Sequence, residues 1–232
     1  MTTLILLAGG IGRRVGLDIP KQYLLLNNRT VLEHTLDNVS AIDEIDNIVL
    51  VSNRDFMKYS IQISEKYSKV VKVVPGGQTR NHSIKNGFCA IDWYETKVIV
   101  HDAVRPFTPK WVFSEIVQML DAHNVVTTVN PITGNLLEIE DGLVNKILDR
   151  DKYAIGESPT GYTYKALQKI LDYNSAKGTL DKIPHDIQLA IFAGFDVAVL
   201  YCNCFNLKLT FRDDFRLMRA LLDKEHKGED YE

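Results

Sequence analysis

The sequence predicts an α/β fold, a mostly parallel sheet with helices on both faces and a protruding β-hairpin arm. Three observations predict it. Apolar strand-like runs recur along the chain, helical patterns separate them, and the stretch 131–150 breaks the alternation. At 232 residues the chain suits a single domain, 1–232, with a real core and a hairpin arm at about 131–150.

The first strand is Leu4–Leu7, an unbroken apolar run of the kind buried on both faces of a parallel sheet. A helix around Val31–Val39 precedes IVLVS (Ile48–Ser52), and one around Phe56–Tyr67 precedes VVKVV (Val70–Val74). Apolar positions Ile84, Phe88 and Ile91, spaced four and three apart, mark the helix before KVIVHD (Lys97–Asp102). A helix from about Lys110 to Ala122 leads into VVTTVN (Val125–Asn130). PITGNLLEIEDGLVNKILDR then reads as a hairpin turning at Glu140-Asp141-Gly142. Its apolar residues either meet a second subunit or belong to an ordinary edge hairpin. Helices near Tyr162–Tyr173 and His185–Ala193, the strand DVAVLY, a short NLKLT and a final helix from Arg212 complete the order.

Composition bounds the function. A net charge of −3 argues against nucleic acid and anionic membranes as partners, so basic residues that matter must act locally. No run approaches the 18 apolar residues of a membrane span and no secretory signal opens the chain, so a cytoplasmic location is expected. Cys89, Cys202 and Cys204 cannot all pair, and C-N-C has neither zinc nor thioredoxin spacing. Buried, reduced thiols are the expectation.

The chemistry concentrates after the first strand, in LLAGGIGRRVGLDIPKQY (Leu6–Tyr23). A turn there lies at the carboxyl edge of the sheet, where open α/β folds bind ligands. Glycines let backbone N–H groups approach an oxyanion, and Arg13, Arg14 and Lys21 supply positive charge. The loop is not Walker A, and Val15 in the third glycine's place breaks the dinucleotide fingerprint.

Four further stretches join it. PGGQTRNHSIKNG turns at Gly76 and Gly77 and puts Arg80 and Ser83 in the first turn of a helix. Their donors suit a base, sugar or phosphate, although Ser83 serves equally as a plain helix cap. VIVHDAVRPF puts His101, Asp102 and Arg105 at a strand's carboxyl end, where an aspartate holds Mg²⁺ against phosphates or simply pairs with Arg105. His101 reads as structural. NLKLT sets Lys208 in an apolar context, where lysine commonly snorkels. LDRDKY…GESPTGY puts Arg150 and Ser158 after the hairpin, in what reads as exposed loop. Together they read as a nucleotide-phosphate site.

In this order AGGIGRR, PKQY, GGQTRNHSIKNG, VHDAVRPF and NLKLT resemble the cytidylyltransferases of sugar-alcohol phosphates, over essentially the whole chain. That family includes enzymes for ribitol 5-phosphate and for 2-C-methylerythritol 4-phosphate. The resemblance implies a Rossmann-like nucleotidyltransferase fold, CTP and a polyol phosphate as ligands, Mg²⁺ as cofactor, and a homodimer through the arm. It implies catalytic roles for Arg14, Lys21 and Lys208. Nucleotide contacts fall to Ala8, Gly9, Gly10, Gly12, Gly77, Arg80, Ser83, Asp102 and Ala103, with Asp102 also on the metal. Substrate contacts fall to Arg105, Thr133, Arg150 and Ser158, Arg150 reaching a phosphate from the arm.

Departures cluster on the acceptor side. The family's usual Asp-Thr is Ile132-Thr133, its T-P-Q is Ser158-Pro159-Thr160, its Thr-Asp is His185-Asp186, and Phe205 stands where an aspartate is common. TRNHSIKN and NLK look more like the ribitol branch. The expected reaction is therefore CMP transfer from CTP to ribitol 5-phosphate or another capsule or teichoic-acid polyol phosphate, such as glycerol or arabinitol phosphate. The alternatives are 2-C-methylerythritol 4-phosphate as acceptor, a hexose-1-phosphate nucleotidyltransferase, and a non-catalytic nucleotide-binding homologue.

Overall fold

The computed structural model describes residues 1–10, 19–94 and 96–225. From β1 (Thr2–Ala8) the chain passes a short antiparallel pair, β2 (Leu25–Leu26) and β3 (Arg29–Thr30), into α1 (Val31–Ser40). Thr30 caps α1 reciprocally with Glu33, its hydroxyl accepting from the Glu33 N–H while the Glu33 carboxylate accepts from the Thr30 N–H. There follow β4 (Asn47–Ser52), α2 (Met57–Ser64), β5 (Val70–Pro75), α3 (Arg80–Cys89), β6 (Lys97–Asp102), α4 (Lys110–Met119) and β7 (Val125–Pro131). The arm is β8 (Leu136–Glu140) with β9 (Leu143–Leu148). β10 (Ala154–Thr163), α5 (Tyr164–Ala176), α6 (Asp186–Phe192), β11 (Ala198–Tyr201) and α7 (Arg212–Glu225) complete the order. No helix among the described residues is long and apolar enough to cross a membrane.

Seven strands form the main sheet in the order β11-β7-β10-β6-β1-β4-β5. β1 pairs in parallel with β4 and β6, β4 with β5, and β7 with β11. The strand order reverses at β1, with β4 and β5 to one side and β6 to the other. That reversal is the switch point at which open sheets leave a crevice beyond the carboxyl ends of their strands. β10 lies antiparallel between β6 and β7. The exposed loop expected around Ser158 is therefore a central strand: Ser158 and Thr160 are buried, and its register shifts between Gly156 and Thr160. Gly161 is dictated by packing, since a Cβ there would collide with Ile116 of α4.

β1 is apolar on both faces because both faces are covered. Leu4, Leu6 and Ala8 pack with Leu32 and Leu36 of α1 and Phe113 of α4, whereas Ile5 faces Ile84 of α3 and Leu167 of α5. On the second face α3 comes close: a Cβ on Gly87 would stand 2.6 Å from Ile5 Cγ2. A third cluster, built on Leu26, Val104, Leu209 and Met218, fastens α7 beside the β2–β3 pair.

The arm turns at Asp141 and Gly142, with φ of 49° and 80°, the left-handed pair a two-residue hairpin demands. Its strands make their own two-stranded sheet, with Leu143 73% and Ile147 68% exposed. The cysteines depart from the sequence expectation. Cys202 and Cys204 are joined as a disulfide just beyond β11, and Cys89 is exposed at the end of α3.

His101, fully buried in β6, locks the sheet edge from beneath. Ser158 Oγ accepts from the Asp102 N–H at 3.1 Å and lies 2.9 Å from His101 Nδ1. The Arg105 carbonyl 3.4 Å from Nε2 can only accept, which places the ring proton on Nε2 and leaves Nδ1 to accept from the Ser158 hydroxyl. Burial takes the imidazole down to about 4, outweighing Asp102, which favours the charged ring. The folded state thus refuses a proton that the unfolded chain accepts near 6.5, so stability is full above pH 6.5 and is lost as pH falls toward 4. Urea unfolding at pH 7 and pH 4.5 is expected to show His101→Gln losing about 2 kcal/mol less than wild type over that interval. Equal losses would show that His101 does not titrate in this way.

Candidate active site

The crevice at the switch point is a cleft of about 720 Å³. Its floor is the end of β1, where Ala8, Gly9 and Gly10 leave the sheet. Gln22 holds that exit, its amide donating to Ala8 O at 2.6 Å and Gly10 O at 2.9 Å. Lys21 begins the same 3-10 turn, Lys21–Tyr23, and donates to Leu209 O at 2.5 Å. The opening loop is thereby tied to the late segment that carries Lys208. Gly12 and Arg14 lie outside the described residues, as does Arg13.

Two loops make the walls. After β4, Asn53 Nδ2 donates to Gly9 O at 3.3 Å and Arg54 Nε to Gly76 O at 3.2 Å. After β5, Gly77 has no room for a side chain, because a Cβ would collide with His82. Its N–H donates to Ser83 Oγ at 3.1 Å, and the Ser83 hydroxyl donates to Thr79 O at 3.0 Å. Thr79, not Ser83, caps α3, accepting from the His82 N–H. Ser83 instead shapes the glycine turn from the cleft side.

Asp102 stands at the centre. Its carboxylate is nearly buried, with Lys208 Nζ at 2.7 Å, Arg80 Nε at 3.6 Å and Arg105 Nε at 3.8 Å. Burial alone would raise its pKa, but Arg80 and Lys208 above all, with Arg105, hold it well below the usual carboxylate range. Arg80 is itself gripped by Asp186, whose Oδ1 is 2.7 Å from Nη1 and whose Oδ2 accepts from the Tyr162 hydroxyl at 2.9 Å. Burial would lower the guanidinium's pKa, yet Asp186 and Asp102 raise it. Among the described lining residues Lys21, Arg54, Arg80 and Lys208 are cationic against Asp55 and Asp102. The excess of positive charge, glycine turns and the α3 N-terminus suit a polyanionic ligand.

The structure thus brings Ala8, Gly9, Gly10, Lys21, Gly77, Arg80, Ser83, Asp102 and Lys208 to one cleft. The other expected site residues that are described do not line it. Ala103 is fully buried, its N–H donating to Leu7 O at 3.0 Å. Arg105 is buried behind Asp102 and donates to Asn206 O at 2.6 Å. Ser158 lies beneath the cleft as a partner of His101 and Asp102. Thr133 and Arg150 are exposed at the base of the arm, joined by a 3.0 Å bond from Arg150 Nη1 to Thr133 O. Sequence reading assigned no role to Gln22, Asn53 and Arg54, whose partners are backbone carbonyls distant in sequence.

Comparison with known proteins accords with this geometry. The family model described as 2-C-methyl-D-erythritol 4-phosphate cytidylyltransferase matches residues 2–224. A 2-C-methyl-D-erythritol 4-phosphate cytidylyltransferase of Thermosipho africanus is 30% identical, covering 92% of this chain and 95% of that protein. A ribitol-5-phosphate cytidylyltransferase of Streptococcus pneumoniae is also 30% identical, covering 95% and 98%. The crystal structure of 4-diphosphocytidyl-2C-methyl-D-erythritol synthase from Anaerococcus prevotii superposes with a TM-score of 0.84 at 28% identity, covering 96% of this chain and 98% of that one. With its sheet order, its basic cleft and this similarity along nearly its whole length, the chain belongs to the 2-C-methyl-D-erythritol 4-phosphate cytidylyltransferase family of nucleotidyltransferases.

Proposed function

We propose that the chain transfers CMP from CTP to a polyol phosphate of the capsule or teichoic-acid class, ribitol 5-phosphate first among them. The observation that carries this reading is the pairing of Arg80 and Lys208 with Asp102 in a cleft that Lys21 also lines and glycine turns wall. The pneumococcal relative supports ribitol phosphate, as do TRNHSIKN and NLK, while the departures at Ile132, Thr160 and Phe205 keep other polyol phosphates in the panel. The second reading, 2-C-methylerythritol 4-phosphate as acceptor, is favoured by the family description and the Thermosipho relative.

In the reaction an acceptor phosphate oxygen attacks the α-phosphorus of CTP. The new P–O bond forms as the bond to the β-phosphate bridge breaks, and pyrophosphate leaves. The nucleophile is already anionic, so the protein's work is positioning and neutralisation of charge. Lys21 and Lys208 reach the cleft from opposite ends of the sequence, and the Lys21 bond to Leu209 keeps the two segments in register. Gly77, with Arg80 and Ser83, offers the glycine turn and α3 start to the nucleoside side.

Mg²⁺ fits Asp102, a carboxylate facing the cleft with one oxygen left 3.6 Å from its Arg80 neighbour. No group of three or more metal-ligating side chains occurs among the described residues, so the ion's other ligands would be phosphate oxygens and water. When bound, the ion neutralises charge on the phosphates.

The arm supports a homodimer. Leu143, Val144 and Ile147 are exposed on a two-stranded ribbon, a structure only marginally stable by itself in water. A second copy would cover them, and would place Thr133 and Arg150 beside a cleft not their own. Sedimentation should show wild type as a dimer and Val144→Asp with Ile147→Asp as a monomer; a monomeric wild type removes this assembly.

Pyrophosphate release with CTP and Mg²⁺ is the primary test. Ribitol 5-phosphate, glycerol phosphates and arabinitol phosphate are run against 2-C-methylerythritol 4-phosphate. Turnover of a capsule-type polyol phosphate is expected, turnover of methylerythritol phosphate alone establishes the second reading, and CTP binding without turnover overturns both in favour of an acceptor outside the panel or a non-catalytic homologue. Lys21→Ala is expected to lower kcat by about 10²–10³ with Tm nearly kept, as loss of one charged donor to a developing oxyanion does. A kcat within a few-fold of wild type takes Lys21 out of the mechanism.

A further inference from the structure

We infer that Asp186 is a positioning residue for CTP, acting through Arg80. The inference rests on the cytidylyltransferase reading and assigns a role to a residue outside the cleft. Asp186 opens α6, where an acidic side chain would ordinarily serve the helix N–H groups. Both of its oxygens are turned elsewhere: Oδ1 pairs with Arg80 Nη1 at 2.7 Å and Oδ2 accepts from Tyr162 at 2.9 Å. Tyr162 is fully buried in β10, so the carboxylate is anchored to the sheet itself.

The consequence falls on Arg80. Its side chain lines the cleft and is 30% exposed, whereas Asp186 is 10% exposed and does not line it. Arg80 lies between two carboxylates, tightly on Asp186 and loosely on Asp102 at 3.6 Å. Asp186 therefore decides which way the guanidinium points. Without its charge, Arg80 would close onto Asp102, compete there with Lys208, and withdraw from the nucleotide side. The scaffold at this point has a separate support, because Asn81 Nδ2 donates to Ile183 O at 2.5 Å and Leu180 O at 3.3 Å. α3 and the segment before α6 thus remain stitched when the ion pair is removed.

The test is calorimetric titration of CTP into wild type and Asp186→Asn without acceptor, followed by steady-state kinetics with the active polyol phosphate. Asp186→Asn is expected to raise both the Kd and the KM for CTP about ten-fold with kcat within about three-fold, the signature of lost binding common to ground and transition states. Asp186→Glu should recover part of the loss, and Tyr162→Phe should move the same constants in the same direction by about two- to three-fold. A merely structural role would lower Tm and the active fraction while leaving the Kd of the folded fraction unchanged, and that result overturns the inference. Should Asp186→Asn fail to fold, an unchanged Kd in Tyr162→Phe overturns it instead. A wild type that binds no CTP overturns the functional reading as well, whereas a wild type that binds it as tightly as Asp186→Asn overturns the positioning role alone.

Discussion

The arrangement depends on one buried negative charge. Asp102 ends β6 with its carboxylate nearly removed from water, and an unpaired charge there would be intolerable. It is met by Lys208, Arg80 and Arg105, which come from the late extended segment, the start of α3 and the turn after β6. One carboxylate thus gathers parts of the chain more than a hundred positions apart. The same gathering leaves cations facing the cleft, so the demand for neutrality inside and the positive lining of the cleft have one origin.

Backbone carbonyls supply the second level of order. Gln22, Asn53 and Arg54 each donate to a carbonyl of the loops that wall the cleft. These bonds fix the walls through their main chain, beside the close fit of Gly77 against His82. Thr133 and Arg150 sit instead on the exposed base of the arm, away from these carbonyl contacts.

Much of this was legible in the sequence because the relevant signals are local. The double-faced burial of β1, the glycine turn at Gly77 and the hairpin at Asp141-Gly142 each follow from a few adjacent residues. β10 was not legible. AIGESPTGYT carries glycine, proline and serine where a strand ordinarily carries branched apolar residues, and it becomes a strand only because β6 and β7 leave a slot for it. Ser158 was read as a loop residue for the same reason: its partner, His101, is distant in sequence. The cysteines were misjudged because C-N-C was weighed only against zinc and thioredoxin spacings, neither of which bears on whether Cys202 and Cys204 can bridge each other.

The inserted position of β10 bears on how the chain is made. As the polypeptide emerges from the ribosome, β1, β4, β5 and β6 can pair once residue 102 is out, but β7 has no neighbour to dock against. β6 then presents an unpaired, apolar edge through the synthesis of the whole arm, until residues 154–163 arrive and close it on both sides. Such an edge is the feature that invites association with other nascent chains. The arm that reaches outward in the finished protein is also the length of chain that sets how long that edge stays open.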